Sequence, residues 1–168
     1  ENAADMAKKA LDQRFTAEAS WEYARASIQL GKSAEAKKAL EKVVETDPGN
    51  VIANRELGTI YYDDKEYAQA LPLLKKAALQ KADAQTWFRI GKSLLATDNQ
   101  PEAIEYLEKA LKEDGSLTEA NMLCARAYYE TGDYRKAAEH YDRALNKEEF
   151  TKEDYFNRAD AKKRSGNE

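Results

Sequence analysis

Apolar residues fall along this chain at helical spacing. Leu57 and Tyr61 lie one turn apart, and Ala70, Leu71, Leu74, Ala77 and Ala78 then follow in steps of one, three, three and one residues. Such steps gather side chains on one face of a helix. The two runs are separated by a polar stretch, so the pattern predicts two short helices folded back on one another.

The same pair recurs down the chain. Ala36, Ala70, Ala103 and Ala137 stand 34, 33 and 34 residues apart by subtraction of their numbers. The small residues Ala24, Gly58, Gly91, Ala125 and Ala159 keep that step, as do Val43, Ala77, Ala110 and Ala144. A bulky column, Leu40, Leu74, Leu107 and Tyr141, sits three residues before the last of these. Small residues let two helix backbones approach where they cross, and the bulky neighbours fill the adjacent holes. One register therefore governs the whole chain, which is the mark of a repeat architecture.

Connections agree with this division. Leu30-Gly31-Lys32 and Thr131-Gly132-Asp133 put glycine where a helix should stop, and Asp47-Pro48-Gly49-Asn50 is a strong turn between pairs. Pro101 falls at the start of a second helix, where its missing N–H is harmless. Pro72 lies further in, and a mild distortion at most is expected there.

These residues resemble the tetratricopeptide repeat. Leu57-Gly58, Tyr61, Tyr67, Ala70, Leu74 and Ala77 carry the pattern in one repeat; Trp87, Ile90-Gly91, Ala103, Leu107 and Ala110 in the next. Tyr128, Gly132-Asp133-Tyr134, Ala137, Tyr141 and Ala144-Leu145 carry it in a further one, while Ser20 and Ser27 replace larger residues in the first. The resemblance implies an all-α solenoid, a right-handed superhelix of antiparallel helix pairs. Four full repeats are expected at about 17–50, 51–83, 84–117 and 118–151, with half repeats at about 3–14 and 152–164. Terminal repeats of a solenoid ordinarily turn a polar face outward. Met6 and Leu11 at one end, and Tyr155 and Phe156 at the other, break that rule. The chain is accordingly expected to be an excerpt of a longer protein, with self-association through its ends as an alternative.

The resemblance further implies that first helices line a concave face. Spacing away from the buried columns puts Trp21, Arg55, Phe88, Met122 and Phe156 in one stripe there, outside the core of each pair. A second stripe, one turn on, holds Arg25, Thr59, Lys92 and Arg126, with Arg89 beside it. Across fifteen inner positions, five basic residues (Arg25, Arg55, Arg89, Lys92, Arg126) face three acidic ones (Glu22, Glu56, Asp160). A basic, aromatic groove suits a peptide or partner segment with apolar anchors and carboxylates. The carboxylate clamp by which some relatives hold acidic chaperone tails is missing. Its positions hold Trp21, Arg25, Glu56, Gln85 and Arg89 in one register and Arg55, Thr59, Arg89, Glu119 and Leu123 in the next.

Composition narrows the function without naming a partner. A net charge of −4 gives no general attraction to nucleic acid. The apolar runs are far short of the roughly 20 residues that span a bilayer, and no targeting segment announces a compartment. Catalytic and cofactor chemistry lack material. The one histidine, His140, reads as an exposed helix residue, and Cys124 falls in the core column of Tyr23, Leu57 and Ile90. No further histidine or cysteine is present to complete a metal site, and no glycine-rich phosphate loop occurs. The acidic pairs Asp63-Asp64 and Glu148-Glu149 read as helix ends. The expected function is a protein-interaction scaffold, not an enzyme, with no cofactor and no metal; a structural spacer is the alternative.

Overall fold

The computed structural model describes residues 17–80, 82–144 and 150–166; the expected half repeat at 3–14 lies outside them, as do Glu148 and Glu149. Among the described residues the chain is all helix and turn, with nine helices and no strand. They are α1 (Ala17–Gln29), α2 (Ser33–Thr46), α3 (Val51–Asp63), α4 (Tyr67–Ala78), α5 (Ala84–Leu95), α6 (Gln100–Glu113), α7 (Thr118–Thr131), α8 (Tyr134–Ala144) and α9 (Lys152–Arg164). They fall into two compact units, residues 1–81 and 82–168.

In the first unit α1 packs on α2, α2 on α3 and α3 on α4. Ala24, Ala39, Leu40, Val43, Ala53 and Leu57 form its core, with Trp21, Tyr23, Ile60 and Tyr61 packed around them. In the second unit the same succession runs from α5 to α9, and α9 also reaches back to α7. Its core gathers Leu107, Ala110, Ala120, Cys124, Tyr128, Ala137 and Ala138.

The sequence columns are the packing columns. Ala36, Ala70, Ala103 and Ala137 are fully buried, as are Leu40, Leu74, Leu107 and Tyr141. Glycine is required at two crossings. A Cβ on Gly58 would lie 2.8 Å from Leu74 Cγ, and one on Gly91 would lie 2.6 Å from Leu107 Cγ, both inside contact distance. Ala159 keeps the register but is exposed, since no described helix covers that face of α9.

Every turn that closes a first helix passes through one left-handed residue. These are Gly31, Lys65, Asp98, Gly132 and Gly166, with φ of 69°, 62°, 58°, 84° and 76°. Lys65 and Asp98 show that backbone geometry, not glycine itself, is the repeated feature. Helix starts are capped locally: Asn50 accepts from the Ala53 N–H, Asp83 from that of Thr86 and Asn99 from that of Glu102. Thr151 and Asp154 close a reciprocal capping box on α9. α4 runs on past the internal Pro72, and Pro101 sits in the first turn of α6.

Candidate functional site

In the first unit, the first-helix face is a cleft of about 240 Å³ between α1 and α3. Its walls are Trp21, Ile28 and Ile52, with Arg25, Gln29 and Glu56 at the rim. Trp21 is half-buried against the core, whereas Ile28 and Ile52 are 38% and 48% exposed. Among the described residues Arg25 reaches only Glu22 on its own helix, at 3.2 Å, with both side chains more than half exposed. Arg55 meets its neighbour Glu56 at 3.5 Å. Pairs at least partly exposed, as these are, hold their partners weakly.

The second unit differs. Phe88 and Met122, expected outside the core, are 9% and 8% exposed, and Phe88 belongs to the core cluster with Leu107, Ala120, Cys124 and Tyr128. The expectation fails because successive first helices pack closely enough to enclose these side chains. Lys92 donates to Glu119 at 2.6 Å and lies 5.8 Å from the Phe88 ring centre. Arg126 grips Asp154 with two bonds of 2.7 Å, Nε to Oδ1 and Nη2 to Oδ2. Those bonds, together with Thr151, hold the buried Asp154 carboxyl down to about 2. Arg89 is half-buried, and Phe156 stands 67% exposed at the far end beside Tyr155.

These ion pairs were legible and were missed. Lys92 and Glu119 are 27 residues apart, Arg126 and Asp154 are 28 apart, and each joins one first helix to the opening turn of the next. Ile52, Gln85, Glu119 and Glu153 share one column by steps of 33, 34 and 34. In the first unit, Ile52 stands where Glu119 does and Ala53 where Asp154 does. Among the described residues Arg25 bonds to no acid on another helix, and the cleft beside it is mostly apolar, with Glu56 at its rim.

His140 requires a correction. It is 6% exposed, not a surface residue, with Nδ1 3.0 Å from the Asn121 side-chain oxygen and its ring stacked on Tyr128 at 5.6 Å. Burial lowers its pKa, with Arg143 adding to the effect. The Tyr128 hydroxyl donates to Glu108, and burial raises its own pKa. The missed signal was positional: Ala39, Leu73, Tyr106 and His140 share a column by steps of 34, 33 and 34, and its other members are apolar. Cys124 is fully buried, and desolvation pushes its thiol up to about 12. Among the described residues, no group of three or more His, Cys, Asp or Glu could hold a metal ion. No described helix is long and apolar enough to cross a membrane.

Models of the tetratricopeptide repeat family match residues 24–86, 63–118 and 94–156. Among curated proteins, the chain is similar to a DnaJ protein P58IPK homolog of Arabidopsis thaliana, 27% identical over 160 residues, covering 86% of this chain and 32% of that protein. Stress-induced-phosphoprotein 1 of Caenorhabditis elegans is 25% identical over 153 residues, 71% of this chain and 48% of the relative. A peroxisomal targeting signal receptor of Kluyveromyces lactis is 31% identical over 94 residues, 55% of this chain and 17% of the receptor. The chain thus spans half or less of the length of these relatives. Two solved structures share the fold. YrrB, described as a TPR protein with an unusual peptide-binding site, has a TM-score of 0.77 at 18% identity, covering 98% of this chain and 86% of that one. MamA has a TM-score of 0.73 at 22% identity, covering 90% and 83%.

Proposed function

The chain belongs to the tetratricopeptide repeat family, and on that premise we propose that it is a binding scaffold whose first-helix faces receive a segment of a protein partner. The observation that carries this reading is the cleft between α1 and α3. Ile28 and Ile52 expose apolar surface that no described residue covers, and Arg25 stands beside it with only an exposed pair to Glu22 among the described residues. An apolar anchor seated there, followed by a carboxylate, gains burial and a charge-assisted hydrogen bond together. The family is generally non-enzymatic, and the peptide-binding site described for YrrB supports the same role.

Fluorescence anisotropy with labelled twelve-residue peptides, each combining Leu or Phe with Asp or Glu, tests the proposal. Micromolar binding is expected for a subset, weakened about tenfold by Ile52→Asp and severalfold by Arg25→Glu or Arg55→Glu, at unchanged helicity. Equal binding by wild type and Ile52→Asp would place the partner elsewhere. Arg126→Glu is a poor probe, since it would set a second carboxylate against the buried Asp154. Exposed Tyr155 and Phe156 support a second reading, self-association through α9. Light scattering of wild type and Phe156→Asp decides it, because a dimer abolished by the substitution is required.

A further inference from the structure

The second unit carries a further cleft, of about 550 Å³, between its second helices, α6 and α8. One wall of it is His140, only 6% exposed. Its Nδ1 lies 3.0 Å from the Asn121 side-chain oxygen on α7. The Asn121 amide nitrogen is committed to the Leu117 carbonyl at 3.4 Å, so the oxygen faces the ring and Nδ1 carries the hydrogen. Nε2 is then the unprotonated nitrogen, and His140 makes no second hydrogen bond with a described residue. The two ring nitrogens point to opposite sides. Because α7 supplies no wall of the cleft, the edge of the ring that reaches it is the one bearing Nε2. A nearly buried acceptor without a donor is unfavourable, so the cleft calls for an N–H or O–H from outside.

Charge at the mouth is a second, independent observation. Lys109 and Glu105 hold each other at 2.6 Å. Lys112 and Arg143, which also line the cleft, are exposed, and neither forms an ion pair or hydrogen bond with a described residue. The remaining charge is Glu108, whose carboxylate accepts the Tyr128 hydroxyl hydrogen. Two uncommitted cations against one carboxylate leave an excess of one positive charge, on a chain whose net charge is −4. The ring itself adds none near neutral pH. Burial and then Arg143 lower its pKa, with Lys136 acting the same way and Glu108 and Glu139 opposing. The cleft thus asks for a ligand of one negative charge that still holds an acidic hydrogen.

We propose that this cleft binds a phosphoryl group, two of its oxygens held by Lys112 and Arg143 and its P–O–H donating to His140 Nε2. The chemistry selects among anions. A phosphoryl group gives up its last hydrogen only at about pH 6, whereas a carboxylic acid has lost its own by about pH 4 and sulfate has none to give. Glu108 favours the singly charged form, which is the one that carries the hydrogen. The group is either a free phosphate or a phosphate ester on a residue of a partner. The inference concerns the second-helix side of the second unit and stands apart from the reading of the first-helix faces.

The test is an NMR titration of the whole chain at about pH 6.5 and constant ionic strength, with inorganic phosphate, sodium sulfate and N-acetyl-O-phosphoserine-N-methylamide as probes. Saturable amide shifts are expected at Glu108, Lys112, His140 and Arg143 with phosphate, and affinity about fivefold weaker with sulfate. In a ring-nitrogen spectrum, phosphate should move the His140 Nε2 signal and leave that of Nδ1 in place. Lys112→Gln with Arg143→Gln, both at exposed positions, should weaken phosphate about tenfold at unchanged helicity, with peptide binding at the α1/α3 cleft untouched. Tighter binding of the phosphoserine probe than of phosphate assigns the group to a modified partner residue, and the reverse order to a free anion; either sustains the site. Shifts that do not saturate, equal affinity for sulfate, an unmoved Nε2 signal or indifference to the double substitution would each overturn the assignment.

Discussion

At the scale of single residues, two columns carry the repeat, and both make measurable statements. Gly91 has no room for a methyl group, with Leu107 Cγ at 2.6 Å and the Ala103 carbonyl oxygen at 3.2 Å from the position it would take. Alanine gains about 1 kcal/mol in helix propensity over glycine, whereas forcing a methyl into a packed crossing costs about 1–3 kcal/mol. Gly91→Ala should therefore lower stability by up to about 2 kcal/mol in urea melts, with Gly49→Ala, which meets only Asp47 Oδ1 at 3.6 Å, as the near-neutral control. The turn column points the other way. Lys65 holds φ of 62° with a side chain attached, and Gly31 and Gly132 show which residue suits the position. Lys65→Gly should relieve about 1 kcal/mol and raise Tm by about 2–4 °C in calorimetry. Asp98→Gly should gain less, because aspartate tolerates this conformation better than lysine. A larger gain at Asp98 than at Lys65 would mean that the strain argument is wrong.

At the scale of elements, α9 is held differently from its equivalents. α7 buries seven residues, whereas α9 buries only Asp154 and Ala161. Its attachment leans on polar contacts: Arg126 to Asp154, and Arg158 and Lys162 to Asp142 on α8. Removing one partner of a buried pair strands the other charge, at a cost of about 3–5 kcal/mol for full burial and less here, where Arg126 is 37% exposed. Arg126→Ala should therefore free α9 while leaving the helices before it protected, seen as faster amide exchange confined to Lys152–Arg164. Protection lost evenly across the second unit would show that α9 is not a separable element. This scale also marks the limit of what the sequence revealed. Helix pairs, their turns and their buried columns were legible because each depends on residue size at a fixed step. Charge pairing was equally periodic but was missed, because the inner face was read by residue type along one helix. Arg126 and Lys92 meet their acids only across 28 and 27 residues. Phe88 and Met122 were misread for the same reason, since a neighbouring helix encloses them.

At the scale of the whole molecule, stability sums over groups whose protonation differs between folded and unfolded chains, and two of these act in separate parts of the acid range. His140 has an ordinary pKa of 6.5 that folding lowers, first by burial and then by Arg143, while Glu108 and Glu139 work against the shift and Lys136 with it. As pH falls below 6.5, the unfolded chain takes up a proton that the folded chain refuses. Stability should decline from that point and level off once the folded imidazole is also charged. Asp154 acts later. Its carboxyl is lowered from 3.8 to about 2, mainly by Arg126, so its contribution of about 2 kcal/mol is complete above 3.8 and is lost as pH falls toward 2. Urea midpoints from pH 8 to pH 2 should thus show a plateau, a first step beginning near 6.5 and a second below 4. His140→Gln keeps a polar side chain opposite Asn121 but carries no titrating proton, so it should erase the first step and spare the second. A first step that survives His140→Gln would have to come from a group other than the only histidine in the chain, and the buried contact with Asn121 would then carry no pH dependence.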